Sequence, residues 1–114
     1  MDQESTRQLK VAKEIQRDLA EIIRKKGMAA YEGAMVTVSG VKIGQDLSLA
    51  KVYVSIFPSA KSGVVMKIIE DGAKSLRGEL GRAVAKQLRI VPELAFYLDD
   101  SLDYVEHIDE LLRK

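Results

Sequence analysis

The sequence predicts an α+β domain of order helix, strand, strand, helix, kink, helix, strand with a short C-terminal helix, and three stretches carry that reading. Between Val64 and Leu88, the residues Val65, Ile69, Leu76, Leu80, Val84 and Leu88 recur at four or seven, the spacing of one helical face. Ile90-Val91-Pro92 then stops the helix, because proline lacks an amide hydrogen and biases its predecessor away from helical backbone. Leu94, Phe96 and Leu98 alternate with Ala95 and Tyr97, as a strand with one buried face does. Upstream, two closely spaced runs of strand formers around Val36-Val38 and Val52-Val54-Ile56 predict an antiparallel hairpin.

The first helix follows Ser5-Thr6-Arg7-Gln8, which has the form of a capping box. Val11, Ile15, Leu19, Ile22 and Ile23 form its apolar face, and Arg24-Lys25-Lys26 suits the negative end of its dipole. Gly27 is the natural residue just past its end, so the helix is expected from Arg7 to Lys26. In the first strand the alternation slips at Gly40 and resumes at Val41 and Ile43, which predicts a bulge. Gly44 to Ser48 is turn chemistry, and Pro58 ends the second strand. Gly72, Gly78 and Gly81 each cost about 1 kcal/mol in a helix interior, so a kink or break is expected near Asp71 to Ser75. Asp99-Asp100-Ser101 can cap the last short helix, with Leu102, Val105, Ile108 and Leu112 on one face.

A chain of 114 residues is one domain, with residues 1–5 and about 100–114 expected at its mobile margins. It has no cysteine, which excludes disulfides, cysteine nucleophiles and thiolate metal sites. The acidic start Met1-Asp2-Gln3-Glu4 is unlike a signal peptide, and no apolar run nears the roughly 20 residues of a membrane span. A cytoplasmic location with no membrane contact is expected. The net charge of +1 hides an asymmetry: residues 1–98 carry 16 Lys and Arg against 11 Asp and Glu, and residues 99–114 carry two against six. A cationic body and an anionic tail permit an anionic partner such as RNA, although a solvated surface would look the same.

No catalytic constellation is visible. His107 is the sole histidine and has no partner ligand, and Asp99, Asp100 and Asp103 lack the glycine and terminal glutamate of a calcium loop. There is no nucleophile elbow, phosphate loop or dinucleotide fingerprint. The expectation is no enzyme, no metal, no cofactor and no small-molecule substrate. Gly78-Glu79-Leu80-Gly81 is a literal Gly-x-x-Gly, which in KH domains clamps a nucleic-acid backbone. Glu79 would repel phosphate and Leu80 belongs to the apolar stripe, so two buried-side helical glycines are the favoured reading.

The element order is that of a type II KH-like domain, and the residues themselves resemble the ribosome-binding factor A family. The likeness rests on Asp46-Leu47-Ser48-Leu49-Ala50-Lys51-Val52-Tyr53-Val54-Ser55, Leu76-Arg77-Gly78-Glu79-Leu80-Gly81 and Leu88-Arg89-Ile90-Val91-Pro92-Glu93-Leu94. It extends through Asp99 to Leu102 and Ile108-Asp109-Glu110-Leu111-Leu112, covering about residues 6–112. The resemblance implies a non-enzymatic assembly factor for the immature small ribosomal subunit, contacting its rRNA, assisting late maturation of the rRNA 5′ region, and mattering most in the cold. It also implies an interhelical kink of Ala-x-Gly form. Here Gly72, Ala73 and Lys74 stand at that place with Ser75 following, which departs from the pattern.

On that basis rRNA contact is expected from Lys74, Arg77, Arg82, Lys86 and Arg89 on the paired helices, with Arg7 and Lys10 on the first helix. Arg82, Lys86 and Arg89 stand at i, i+4 and i+7, about 10 Å along one helical face. Such a row suits phosphates more than bases. Aromatic residues are few and several are expected in the core, so a sheet that stacks bases is not expected. The partners implied are the small ribosomal subunit and its rRNA, met by a monomer. The rival class is a protein-binding module that docks to a ribosomal protein or assembly factor through the acidic C-terminal helix.

Overall fold

The structure is a computed structural model and describes residues 6–44, 47–84 and 91–99. Helix α1 (Thr6–Lys26) leads through a 3-10 turn at Met28–Tyr31 to strands β1 (Met35–Ile43) and β2 (Leu49–Phe57). A second short turn precedes α2 (Ser62–Asp71) and α3 (Ala73–Val84), and β3 (Glu93–Leu98) closes the described chain. The sheet order is β1-β2-β3, with β1 antiparallel and β3 parallel to the central β2. This is the type II KH-like order that the sequence predicts. The expected C-terminal helix lies outside the described residues.

One row of β2 fixes the architecture. Ala50, Val52, Val54 and Ile56 point to one side and are all buried. Val36, Val38, Val41 and Ile43 stand opposite them on β1, and Leu94 and Phe96 stand opposite Ala50 and Val52 on β3. All three helices cover this side. Leu19 and Ile23 of α1, Val65 and Ile69 of α2 and Leu76 of α3 join Val52, Val54 and Phe96 in one cluster. Val11, Ala12 and Ile15 meet Leu80 and Val84 over Ile43 and Ala50 in a second. Because later residues of α1 meet Leu76 and earlier ones meet Leu80 and Val84, the two helices run antiparallel.

Local signals are satisfied where the packing asks for them. Gly27 takes φ +82°, the left-handed value that glycine adopts without a Cβ penalty, and its amide donates to Arg24 O at 3.1 Å. The register of β1 slips between Val38 and Gly40, where the alternation fails in sequence. Gln16 Nε2 donates to Val38 O at 3.4 Å, and Ser39 Oγ donates to Tyr53 O at 3.1 Å, which fasten the bulge to α1 and to β2. Gln8, the last residue of the capping-box pattern, is buried and donates through Nε2 to Ile43 O at 3.0 Å. It therefore ties the start of α1 to the end of β1.

The break between α2 and α3 falls on one residue. Gly72 has φ −94° and ψ 8°, its amide donates to Ile68 O at 3.0 Å, and the Leu76 amide donates back to Gly72 O at 3.0 Å. Ala73, Lys74 and Ser75 belong to the first turn of α3, so the expected four-residue kink narrows to Gly72. The buried-side reading of the two helical glycines holds in part. Gly81 is half-buried and a Cβ there would lie 3.4 Å from Val91 Cγ2, whereas Gly78 is exposed with open space around it.

These placements set opposite signs for two substitutions in one helix. Leu80 is fully buried, so Leu80→Ala is expected to destabilise by about 2–5 kcal/mol in chemical denaturation. Gly78→Ala is expected to stabilise by up to about 1 kcal/mol, because the added methyl meets nothing and the backbone loses less entropy. A loss at Gly78 would mean a conformation other than regular helix at that residue.

Candidate nucleic-acid interface

The outward side of α3 follows from its core stripe. Leu76, Leu80 and Val84 point into the sheet, which leaves Lys74, Gly78 and Arg82, each four residues apart, on one exposed row. Lys74 and Arg82 make no ion pair among the described residues. Gly78 between them leaves the helix backbone bare at the middle of the row. On α1, Arg7 and Lys10 are exposed and likewise unpaired among the described residues. The antiparallel packing sets Arg7 and Lys10 at the same end of the helix pair as Arg82 and Val84.

Other cations are held within the fold. Arg77 donates through Nη2 to Val91 O at 2.8 Å and through Nε to Pro92 O at 3.1 Å. It therefore anchors the segment entering β3, and its guanidinium is less available to phosphate than the sequence suggests. Arg17 pairs with Glu14, and Arg24 pairs with Glu21 through Nε at 3.0 Å, one turn apart on α1. Lys26 Nζ lies 3.2 Å from Glu79 Oε1, joining α1 to α3. Glu79, read as a charge that would repel phosphate at a clamp, faces α1 instead. Lys86 and Arg89 lie outside the described residues, as does the acidic segment from residue 100 onward.

Burial perturbs two groups near this surface. Desolvation, with the neighbouring Glu14 carboxylate, raises the Asp18 carboxyl above its ordinary value of 3.8, and its Oδ2 has no hydrogen-bond partner among the described residues. Burial first, and the Glu79 carboxylate second, push the Tyr31 phenol above its usual range. Among the described residues no group of three or more His, Cys, Asp or Glu could hold a metal ion. No described helix is long and apolar enough to cross a membrane.

Fold and site together define a KH-like domain in which the Gly-x-x-Gly residues are part of a helix and the outward helical row is cationic. The family model described as Ribosome-binding factor A matches residues 7–112, and the chain belongs to that family. Relatives named Ribosome-binding factor A include one from Cytophaga hutchinsonii, 40% identical over 97% of this chain and 84% of its own length. Another from Flavobacterium psychrophilum is 42% identical over 96% of this chain and 85% of its own. The crystal structure of ribosome-binding factor A from Thermus thermophilus shares the fold, with a TM-score of 0.68 at 24% identity over 80% of this chain and 94% of its own. Coordinates for the Thermus thermophilus protein fitted into a cryo-EM map of a 30S complex match with a TM-score of 0.61 at 25% identity, covering 76% and 89% of the two chains.

Two substitutions separate structural from surface roles. Arg77→Ala removes two hydrogen bonds to main-chain carbonyls and is expected to destabilise by about 1–3 kcal/mol in chemical denaturation. For Asp18 the folded protein favours the protonated form, so its carboxylate opposes folding once the pH rises above the raised folded value. Asp18→Asn should therefore stabilise slightly at neutral pH, by a fraction of a kcal/mol because solvent screens a charge so near the surface. Melting curves should converge with the parent as the pH falls through the raised value toward 3.8.

Proposed function

We propose that this protein binds the immature small ribosomal subunit, contacts its rRNA through the outward row of α3 and the start of α1, and assists late maturation, including processing of the rRNA 5′ region. The observation that carries the reading is the whole-domain match to ribosome-binding factor A, a family with a member fitted into a 30S complex. The geometry supports a phosphate-reading mode. Lys74 and Arg82 flank the bare backbone at Gly78, so a phosphate chain can approach closely with a cation on either side. Arg7 and Lys10 extend the positive surface onto α1. Lys86 and Arg89 follow Arg82 at i+4 and i+7 in the sequence, and we propose that they take part in the same contact. The action is one of binding as a monomer, without catalysis.

The test is a set of serine substitutions at 82, 86 and 89, with Lys74→Ser as a fourth variant. Each should melt like the parent. Affinity for immature small subunits should fall, and the slope of log K against log salt should flatten by about one unit per cation removed. A footprint on the subunit should lose protection at the same rRNA segment. Unchanged affinity and slope in folded variants would exclude α3 as the RNA surface.

A further inference from the structure

No described helix covers the side of the sheet away from the core, and it is not a plain solvated face: Ser55 is buried within it, while Lys42, Lys51 and Tyr97 are exposed. Lys42 and Lys51, Gly40 and Tyr53, Thr37 and Ser55, and Met35 and Phe57 stand opposite one another there across β1 and β2. Tyr97 of β3 stands beside Tyr53, and the two rings stack with centroids 5.6 Å apart and planes 29° apart. Tyr97 remains 44% exposed. On the other flank of Tyr53 the bulge in β1 sets Gly40, whose Cα bears no side chain and where a Cβ would meet nothing within 4 Å. Tyr53 is thus stacked on one flank and open on the other. Next to that opening Lys42 and Lys51 are directly opposed, both exposed, with no ion pair among the described residues. Opposed like charges weaken a strand pair, so the fold does not account for them.

We propose that this face binds single-stranded RNA, with one base stacked on Tyr53 above Gly40 and the adjoining phosphates taken by Lys42 and Lys51. An aromatic platform beside a pair of cations is the arrangement that holds single strands, because every base has a π-face and every linkage has a charge. A duplex would not fit the opening, since its bases are stacked on one another and its flat surfaces are inaccessible. The contact lies on the face opposite the helical row of α3, so it adds a second RNA contact to the function proposed above without depending on it.

The experiment measures binding of a labelled uridine octamer by anisotropy at low salt, with duplex RNA of equal length as the comparison. The parent should prefer the octamer. Gly40→Val fills the opening on a strand whose geometry suits valine and should leave the melting temperature intact, while octamer affinity falls. Tyr97→Leu keeps an apolar residue at the edge and removes the ring beneath Tyr53. Gly40→Val should weaken the octamer roughly five- to hundredfold, the stacking contribution of one base, and Tyr97→Leu, which leaves the Tyr53 ring but removes its support, should weaken it by less. Changing Lys42 and Lys51 to Gln should make the salt slope shallower by about 0.7 per lysine. Parent protein that shows no preference for the octamer, or folded Gly40→Val and Tyr97→Leu variants that bind it as tightly as the parent, would overturn the proposal. The face would then belong to a protein partner or to the chain itself. Because the probe is a free oligonucleotide, this outcome is read separately from small-subunit affinity.

Discussion

The inward row of β2, Ala50-Val52-Val54-Ile56, is the constraint on which the rest depends. Among the described residues β2 alone is bonded on both sides, antiparallel to β1 and parallel to β3. A hairpin turn suffices for the antiparallel neighbour, but a parallel neighbour needs a crossover that returns the chain to the starting end of the sheet. That crossover is α2 and α3, and its apolar residues have only one buried surface to meet. With α1 on the same side, a three-stranded sheet of this size is covered once. One-sided burial therefore explains why the helices cluster, why their polar rows point outward together, and why no described helix lies on the other face of the sheet.

Much of this was legible in the sequence because it is written in periodicity. The spacing from Val65 to Val84, the alternation from Leu94 to Leu98 and the slip at Gly40 each name an element without reference to anything distant. Of the alternating set in β3, however, only Phe96 is buried, Leu94 being half-buried and Leu98 exposed. The break at Gly72 was legible only as a region, since three glycines in ten residues compete for the same role. Packing chooses among them: Gly72 interrupts the helix, Gly81 admits Val91, and Gly78 is exposed in regular helix. Gln8 illustrates the opposite limit. A capping pattern is local, whereas its bond to Ile43 spans 35 residues and needs the folded arrangement to be seen.

Charge was the least legible property, because sequence counts cations and the fold decides which are engaged. Arg77 and Arg82 are five residues apart on one helix and look alike in sequence. Arg77 leans toward the segment entering β3 and bonds two carbonyls there, while Arg82 points outward with no partner among the described residues. The same sorting pairs Arg17 and Arg24 within α1 and leaves Arg7 and Lys10 unpaired among the described residues. A face rich in basic residues is thus thinner in available charge than its composition implies, and what remains is concentrated at the ends of the outward row.

The tyrosines escape a sequence reading for a related reason. Alternation says that Tyr53 and Tyr97 lie off the buried row, but it does not say that they are neighbours. Only the parallel register of β2 with β3, which no local pattern encodes, sets them side by side. Once they are paired, the bulge acquires a consequence beyond strand geometry. Inserting one residue at Ser39 makes Gly40 the register partner of Tyr53, while the Ser39 hydroxyl bonds the Tyr53 carbonyl. A strand without the bulge would have placed Ser39 opposite Tyr53 and put a side chain into the space now open. The bulge that sequence reveals as a flaw in alternation is therefore also what shapes the bare face, and the two sides of this sheet differ in kind: one holds the core and carries the helices, the other exposes aromatic and cationic side chains that the core does not use.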